Sequence, residues 1–453
     1  MRRRGKAPVT ADPGFPDFPG RPWFGLYVGE GRDATGSSNM QFAGIQQSVL
    51  VLGPPRSGKT STVVVPAVLA APAAVVSTST KPDVLAATVG WRRQLGNCFV
   101  FDPTGAVPLP DGALPLRWSP VIGCDQFETA VARAHALASA GRPLAPMSEA
   151  SHWVERAEAL LAPLLFVAAR RGRDMGVVCR WVLSRDVREP LAALEAEGHD
   201  MAMSVLAGVA ATEDRERSGI FSTAAGVLAA YRSEAALESA RHPNFDPDDF
   251  TASADAAFIC APAHAQDRLA PIIVALLDQL RASTYARPFY AAPVVFALDE
   301  VAGIAPLPAL PAMAADGASQ GLVTLACLQD LSQARGRWGE AADGFFSLFN
   351  TKVLFPGIAD HRTLQLVSAM AGDKQVQVRS VNRPDPLMNL LAKHKTTPSV
   401  TTSITWRPRL PVDVVARGFP GAALVLSGAY PSWVTTVPWW QHPVWSKRAG
   451  AGH

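Results

Sequence analysis

The sequence predicts an α/β protein, a twisted and mostly parallel sheet with helices on its faces, interrupted by an all-helical inserted domain. Three observations carry this. Short apolar runs alternate with helical stretches near both ends of the chain. A glycine loop closing on lysine and threonine follows the first buried run. A carboxylate pair ends a later buried run, the edge where open α/β sheets place their chemistry.

The elements follow in order. Residues 1–45 form an arm and lead-in: 1–22 are rich in Pro, Gly and charge and read as having no structure of their own, and the core begins at 23–28. Residues 46–121 are the first part of the α/β domain, with strands expected at 48–52, 73–77 and 98–101 and helices at 61–71 and 82–95. Residues 122–250 show no convincing strand and form the helical insertion. Val154, Ala157, Leu161, Leu164, Leu165 and Ala168 share one helix face, as do Ile220, Ala224, Val227, Leu228 and Tyr231. Residues 251–453 complete the α/β domain and end in a tail. Strands are expected there at 256–260, 294–298, 322–328, 352–355, 423–426 and 432–437, and helices at 269–282, 331–340 and 362–371.

Composition bounds the rest. At 48% hydrophobic and 18% charged the chain is globular, and 453 residues suffice for two or three domains. A net charge of +3 shows no bulk basic tail, so a path for a polyanion would have to be a local lining. The five cysteines are scattered and read as buried free thiols. No stretch reaches the ~18 apolar residues of a membrane span, and the N-terminus lacks the apolar region of a secretory signal.

The loop Gly53-Pro54-Pro55-Arg56-Ser57-Gly58-Lys59-Thr60, with Ser61 behind it, fits the G-x-x-x-x-G-K-[ST] pattern. Glycines let backbone amides converge on phosphates, Lys59 brings a point charge, and Thr60 can hold Mg²⁺. The helix that follows points its positive end at the same place. The bland alternative is a purely structural loop. Asp299-Glu300 supplies the remaining carboxylates, Asp299 for the Mg²⁺ shell and Glu300 to polarise a water. The same pair could merely cap the next element. Gln329, at the end of a third strand, suits a γ-phosphate sensor, or else a helix cap. Thr80-Lys81-Pro82-Asp83 fits a guanine-reading motif but precedes the carboxylate strand, so the expected nucleotide is ATP.

With these motifs in place, the chain from about residue 42 to 445 resembles the TraD/TraG type of type IV secretion coupling protein. These are hexameric RecA-like ATPases that hand DNA or protein to a conjugation channel. Carrying the resemblance are the phosphate loop, the strand before Lys81, VFDP (100–103), WSP (118–120), ALDEVAGIAPLPAL (297–310) and LQDLSQARGRWG (328–339). It implies a RecA-like P-loop fold, ATP and Mg²⁺, and catalytic roles for Lys59, Glu300 and Gln329, with Thr60 and Asp299 at the metal. It also implies a homo-hexamer, single-stranded DNA with a relaxase, or a protein substrate, as cargo, and channel components as partners. The expected location is the cytoplasmic face of a bacterial inner membrane.

The chain departs from the family in two respects. Family members usually begin with a membrane anchor and nothing here spans; attachment through a partner polypeptide, a soluble relative and a shortened chain all stay open. The family's Gly-Arg pair, whose arginine serves a neighbour's ATP, reads Gly317-Ala318 here; Arg335 or Arg337 could substitute, or could be solvated helix charges. Arg133, Arg170, Arg171 and Arg173 on the insertion are candidate pore charges. The tail tryptophans (Trp433, Trp439, Trp440, Trp445) read as surface packing rather than base stacking. Two other functions fit the same motifs: an FtsK/HerA-like pump for duplex DNA, and a nucleotide-gated docking receptor with little hydrolysis.

Overall fold

The computed structural model describes residues 17–18, 21–32, 36–140, 148–288, 291–382 and 399–450. The arm expected over 1–22 lies mostly outside them. Within it, β1 (Asp17–Phe18) and β2 (Arg21–Pro22) pair antiparallel, a small departure from an arm without structure.

The remaining strands follow in chain order. They are β3 (Tyr27–Arg32), β4 (Ser38–Phe42), β5 (Val49–Leu52), β6 (Val75–Ser79), β7 (Cys98–Phe101), β8 (Leu114–Pro115) and β9 (Ala256–Cys260). After these come β10 (Val294–Leu298), β11 (Leu322–Leu328), β12 (Thr351–Leu354), β13 (Asp373–Asn382), β14 (Ser399–Pro408), β15 (Ala422–Ser427) and β16 (Tyr430–Thr435). Twelve of them form one sheet in the order β4-β3-β16-β15-β12-β5-β11-β10-β6-β9-β7-β8.

From β12 to β8 every pairing is parallel. Strands β5, β6, β9, β10, β11 and β12 are buried at every position; β5, β9 and β10 therefore read as unbroken apolar runs, while β6, β11 and β12 carry buried Ser, Thr or Lys among their apolar residues. The wing beyond β12 is antiparallel. Side-chain alternation along β5 divides the core: Leu50 and Leu52 join the layer continuous with the helical insertion, Val49 and Val51 the opposite layer.

Between β8 and β9 the described residues form eight α-helices, from Phe127–Ser139 to Pro247–Ala252. Ser148–Arg170 is their centre, packing on Phe127–Ser139, Asp200–Ala210 and Asp214–Val227. Its stripe of Ala157, Leu161, Leu164, Leu165 and Ala168 is buried, with Val154 partly so, as the periodicity predicts. The insertion's first helix is fastened to the body by Trp118 and Arg133. Trp118 Nε1 and Arg133 Nη1 both donate to Gln279 Oε1, at 2.8 and 2.6 Å, and the guanidinium lies 5.0 Å over the indole. Arg133 is 5% exposed and so is not a pore charge. Arg170 and Arg171 share Glu197, and Arg173 lies 3.8 Å from Glu189.

The tail packs on the body. Trp445 is buried against Tyr27 and stacks on His442, while Trp440 stays half exposed. Arg448, which no sequence pattern singled out, sits 5.3 Å from both the Trp91 and Trp445 rings and donates to Leu69 O at 3.0 Å. All five cysteines are buried. Among the described residues no helix is long and apolar enough to cross a membrane.

A second cation does similar work inside. Arg92 is fully buried and donates to Ala71 O at 2.8 Å, Ala73 O at 2.7 Å and Ala254 O at 2.8 Å. It thereby ties the chain entering β6 to the chain entering β9. Arg92→Met would leave those carbonyls without partners, and each orphaned buried acceptor costs about 1–3 kcal/mol. The expected loss is at least ~3 kcal/mol in urea unfolding; a loss below ~1 kcal/mol would show that water replaces the guanidinium.

Candidate functional site

The site forms at the C-terminal edge of the parallel strands. The loop leaves β5 at Gly53, whose N–H donates to Leu328 O of β11 at 3.2 Å. Gly53 cannot be larger: a Cβ there would come within 2.7 Å of Phe355 Cβ and of Ser57 Oγ. Gly58 turns at φ +98°, in the left-handed region that glycine enters freely. Arg56 takes φ +63° at the exposed tip.

The loop hands over to a π-helical turn, Thr60–Val64, continuing as an α-helix over Val65–Ala70. π-Turns are rare and concentrate at functional sites. One carbonyl that the turn leaves open is satisfied from outside: Ser61 O, five residues before Pro66, which has no N–H, accepts from Trp439 N of the tail at 3.0 Å. The Ser61 hydroxyl turns back to Gly58 O at 3.2 Å, and Thr62 Oγ1 donates to the same carbonyl at 2.8 Å. The first turn carries no acidic residue of its own.

Lys59 is buried, and its ammonium donates to Gly53 O at 2.6 Å and Pro54 O at 3.0 Å. An ammonium has three donors, so one remains for a ligand. Ser57 Oγ is buried with no hydrogen-bond partner among the described residues. An orphaned hydroxyl, a spare lysine donor and a cradle that a Cβ would fill together suit a phosphate-sized anion.

The carboxylates arrive from β10. Because β11 lies between β5 and β10, Asp299 reaches across one strand to Thr60, whose Oγ1 donates to Asp299 Oδ2 at 2.5 Å. Thr78 Oγ1, on β6, donates to Asp299 O at 2.8 Å and anchors the strand end from the other side. Asp299 is only 5% exposed. Burial pushes its carboxyl up to about 6; the Thr60 hydrogen bond and Lys59 oppose the shift, while the Glu300 and Asp83 charges add to it. A hydroxyl and a carboxylate oxygen are the hard donors that Mg²⁺ takes, and a dication would relieve that buried charge. The pair fits the metal.

Glu300 sits at φ +49°, strained for a residue with a side chain. Its own N–H donates to Asp299 Oδ1 at 3.1 Å, and its carbonyl accepts from Gly303 N and Ile304 N, starting the next helical turn. The Glu300 side chain is partly exposed and finds no hydrogen-bond partner among the described residues. Gln329 follows β11 directly, beside the loop, and its N–H donates to Gln333 Oε1 at 2.9 Å. The cap of the next helix is Asp330, which accepts from Ser332 N and Gln333 N, so the Gln329 side chain is not the cap.

The two arginines weighed as stand-ins for the missing pair are both engaged. Arg335 bridges Asp360 at 2.9 Å and Asp343 at 3.4 Å, and Arg337 holds Asp267 at 3.0 Å. Sequence reasoning missed the bridges because their acidic partners come from segments distant in sequence. It missed the tail's hydrogen bond to Ser61 for the same reason.

The family model described as type IV secretory system conjugative DNA transfer matches residues 8–410. Several solved structures share the fold. The bacterial conjugative coupling protein TrwBΔN70, in its unbound monoclinic form, is 17% identical over 86% of this chain and 85% of that one, with a TM-score of 0.64. The plasmid coupling protein TrwB in complex with ADPNP gives 17%, 86% of each chain and 0.66. TrwB in complex with ADP and Mg²⁺ gives 17%, 87% and 86%, and 0.64. No curated protein sequence matches the chain.

A pH dependence follows from Asp299. Its folded value, about 6, lies above the ordinary 3.8, so stabilisation by the bound proton is complete below about 4 and lost as pH rises through 6. The uncharged Asp299→Asn variant should therefore melt close to the unsubstituted protein at pH 4, pull ahead as pH rises from 4 to 6 and hold its lead above that. The expected margin is about 3 kcal/mol, measured without nucleotide. A margin that stays constant with pH would show that Asp299 is not held above its ordinary range.

Proposed function

The chain belongs to the type IV secretory system conjugative DNA transfer family, and on that premise we propose that it hydrolyses ATP to drive single-stranded DNA toward a secretion channel. The observation that carries the reading is the 2.5 Å contact of Thr60 with Asp299, which joins a phosphate loop to a carboxylate strand at one sheet edge. The TrwB complexes with ADPNP and with ADP and Mg²⁺ support the same ligands here.

Each residue then has a task. The loop from Gly53 to Thr60 wraps the phosphates with its free backbone N–H groups, Pro54 and Pro55, which have none, forming its wall with Arg56 and Ser57, and Ser61 supports the turn. Lys59 directs its free donor at the β/γ oxygens. Thr60 and Asp299 would hold Mg²⁺, which neutralises phosphate charge when bound. Glu300 orients water and accepts its proton, and Gln329 reports the γ-phosphate. ADP and inorganic phosphate leave. With Ala318 where the family carries arginine, and Arg335 and Arg337 committed to their own acidic partners, the isolated chain is expected to turn over slowly. An arginine supplied in trans is worth ~10³–10⁵ in rate in related chemistry.

We further assign a ring of identical subunits, a relaxase or protein substrate as cargo, and a position at the cytoplasmic face of the inner membrane through a partner.

Steady-state hydrolysis tests this. The expected result is stimulation by single-stranded DNA and not by duplex, abolished in Lys59→Ala. Glu300→Gln should still bind ATP yet turn over ~10²–10⁴-fold slower. Stimulation by duplex alone would point to an FtsK/HerA-like pump. ATP binding with nucleotide-dependent assembly and no turnover under any condition would make the chain a docking receptor.

A further inference from the structure

Strands β13 and β14 stand apart from the main sheet as a two-stranded antiparallel ribbon of ten residues each, a reach of about 30 Å. A hairpin of two strands is marginal by itself in water, so a ribbon of this length is expected to gain from being covered. Residues opposite each other in an antiparallel pair share a face. One face therefore carries the pairs Gln375–Trp406, Gln377–Ile404, Arg379–Thr402 and Val381–Val400. Its apolar members are all bare: Trp406 is 62% exposed, Ile404 61%, Val400 60% and Val381 51%. Trp406 and Ile404 lie about 7 Å apart along β14, and the Val381–Val400 pair lies beyond the Arg379–Thr402 pair on the same face.

Charge says what kind of molecule covers the row. The described residues 373–382 and 399–410 hold four basic residues and one acidic, a net +3, equal to the net charge of the whole chain. The excess positive charge is thus carried by the ribbon. Arg379 and Asp373 lie on the apolar face, and the exposed Lys374 and Arg407 on the other. A second copy of the ribbon would bring like charges together. A polyanion with apolar faces would not.

We propose that this ribbon face is a binding surface for single-stranded nucleic acid. Bases stack on Trp406 and pack against Ile404, Val400 and Val381, and Arg379 meets phosphate from the same face; Lys374 and Arg407, paired on the opposite face, add only to the positive field of the ribbon. Single strands fit because their bases show π faces that a duplex keeps stacked. Gln375, Gln377 and Thr402 offer hydrogen bonds to base edges. The base of the ribbon is fixed where Arg409 N donates to Gly372 O at 2.8 Å, at the end of helix His361–Ala371. That helix is in turn bound to the turn after Gln329. Its Thr363 Oγ1 accepts from Leu331 N at 3.2 Å and its capping Asp360 holds Arg335. The surface thus grows from an element attached to the strand end of the site. The proposal rests on the DNA-motor reading above and adds the place where the strand is held.

The test is fluorescence anisotropy of a labelled 30-nucleotide oligo-dT and of a matching duplex, with the full chain and no nucleotide. Trp406→Ala should weaken single-strand binding roughly 10-fold, the loss expected for one stacked base. Trp406→Phe should restore most of it. Arg379→Ala should weaken binding less and flatten its salt dependence. These side chains are exposed, so the melting temperature should stay within about 2 °C. If the unsubstituted chain binds single strands and both alanine variants bind equally well, the ribbon is not the surface, while the motor reading stands. If the unsubstituted chain binds no single strand, the motor reading fails and the ribbon proposal with it. If the variants lower the oligomeric state and leave DNA affinity unchanged, the face joins copies of the chain and the proposal is overturned.

Discussion

Thr60 and Asp299, 239 positions apart in sequence, meet at 2.5 Å because a single strand, β11, separates the strands that carry them. Parallel neighbours are held at about 4.8 Å, so β5 and β10 end roughly 10 Å apart, and the gap is bridged by the loop on one side and a short carboxylate on the other. Every other feature of the site depends on that spacing. Gln329 emerges from the strand in between, beside the loop. Thr78 on β6 fixes the backbone of Asp299 from the far side. Were β11 absent or moved to an edge, loop and carboxylates would persist in sequence but not as one site.

The loop is held closed by its own cations and carbonyls. Lys59 donates to Gly53 O and Pro54 O, Ser61 donates to Gly58 O, and the tail donates to Ser61 O. Two further cations end the same way. Arg92 and Arg448 finish on backbone carbonyls at the ends of elements, where helices and strands leave acceptors without partners. Such contacts fix element ends without a carboxylate partner. They leave Asp299 as a deeply buried acid whose neutralisation is left to a proton or a cation.

Much of this was legible in the chain. The strands over 256–260, 294–298 and 322–328 coincide with β9, β10 and β11, because fully buried parallel strands announce themselves as apolar runs. The loop and Asp299-Glu300 were legible for a related reason: their chemistry is confined to a few adjacent residues. What was not legible depends on distant partners. Arg133 looked like a free charge on an amphipathic helix, but Gln279 and Trp118 enclose it. The long β13–β14 ribbon went unread because its residues alternate polar with apolar while both faces lie open, so no buried stripe marked it. The open carbonyl of the π-turn, Ser61 O, is satisfied by a tail residue, Trp439, that no local pattern connects to the loop.

The central claim is that Thr60 and Asp299 act as one unit in holding the metal that accompanies the nucleotide. Calorimetric titration of ATP, with and without Mg²⁺, into the unsubstituted chain, Thr60→Val, Asp299→Asn and the double variant measures this as a thermodynamic cycle. The account predicts that either single change removes most of the Mg²⁺-dependent part of the affinity and that the second change adds little. Losses that simply add would mean the two side chains serve separate purposes, and would contradict it.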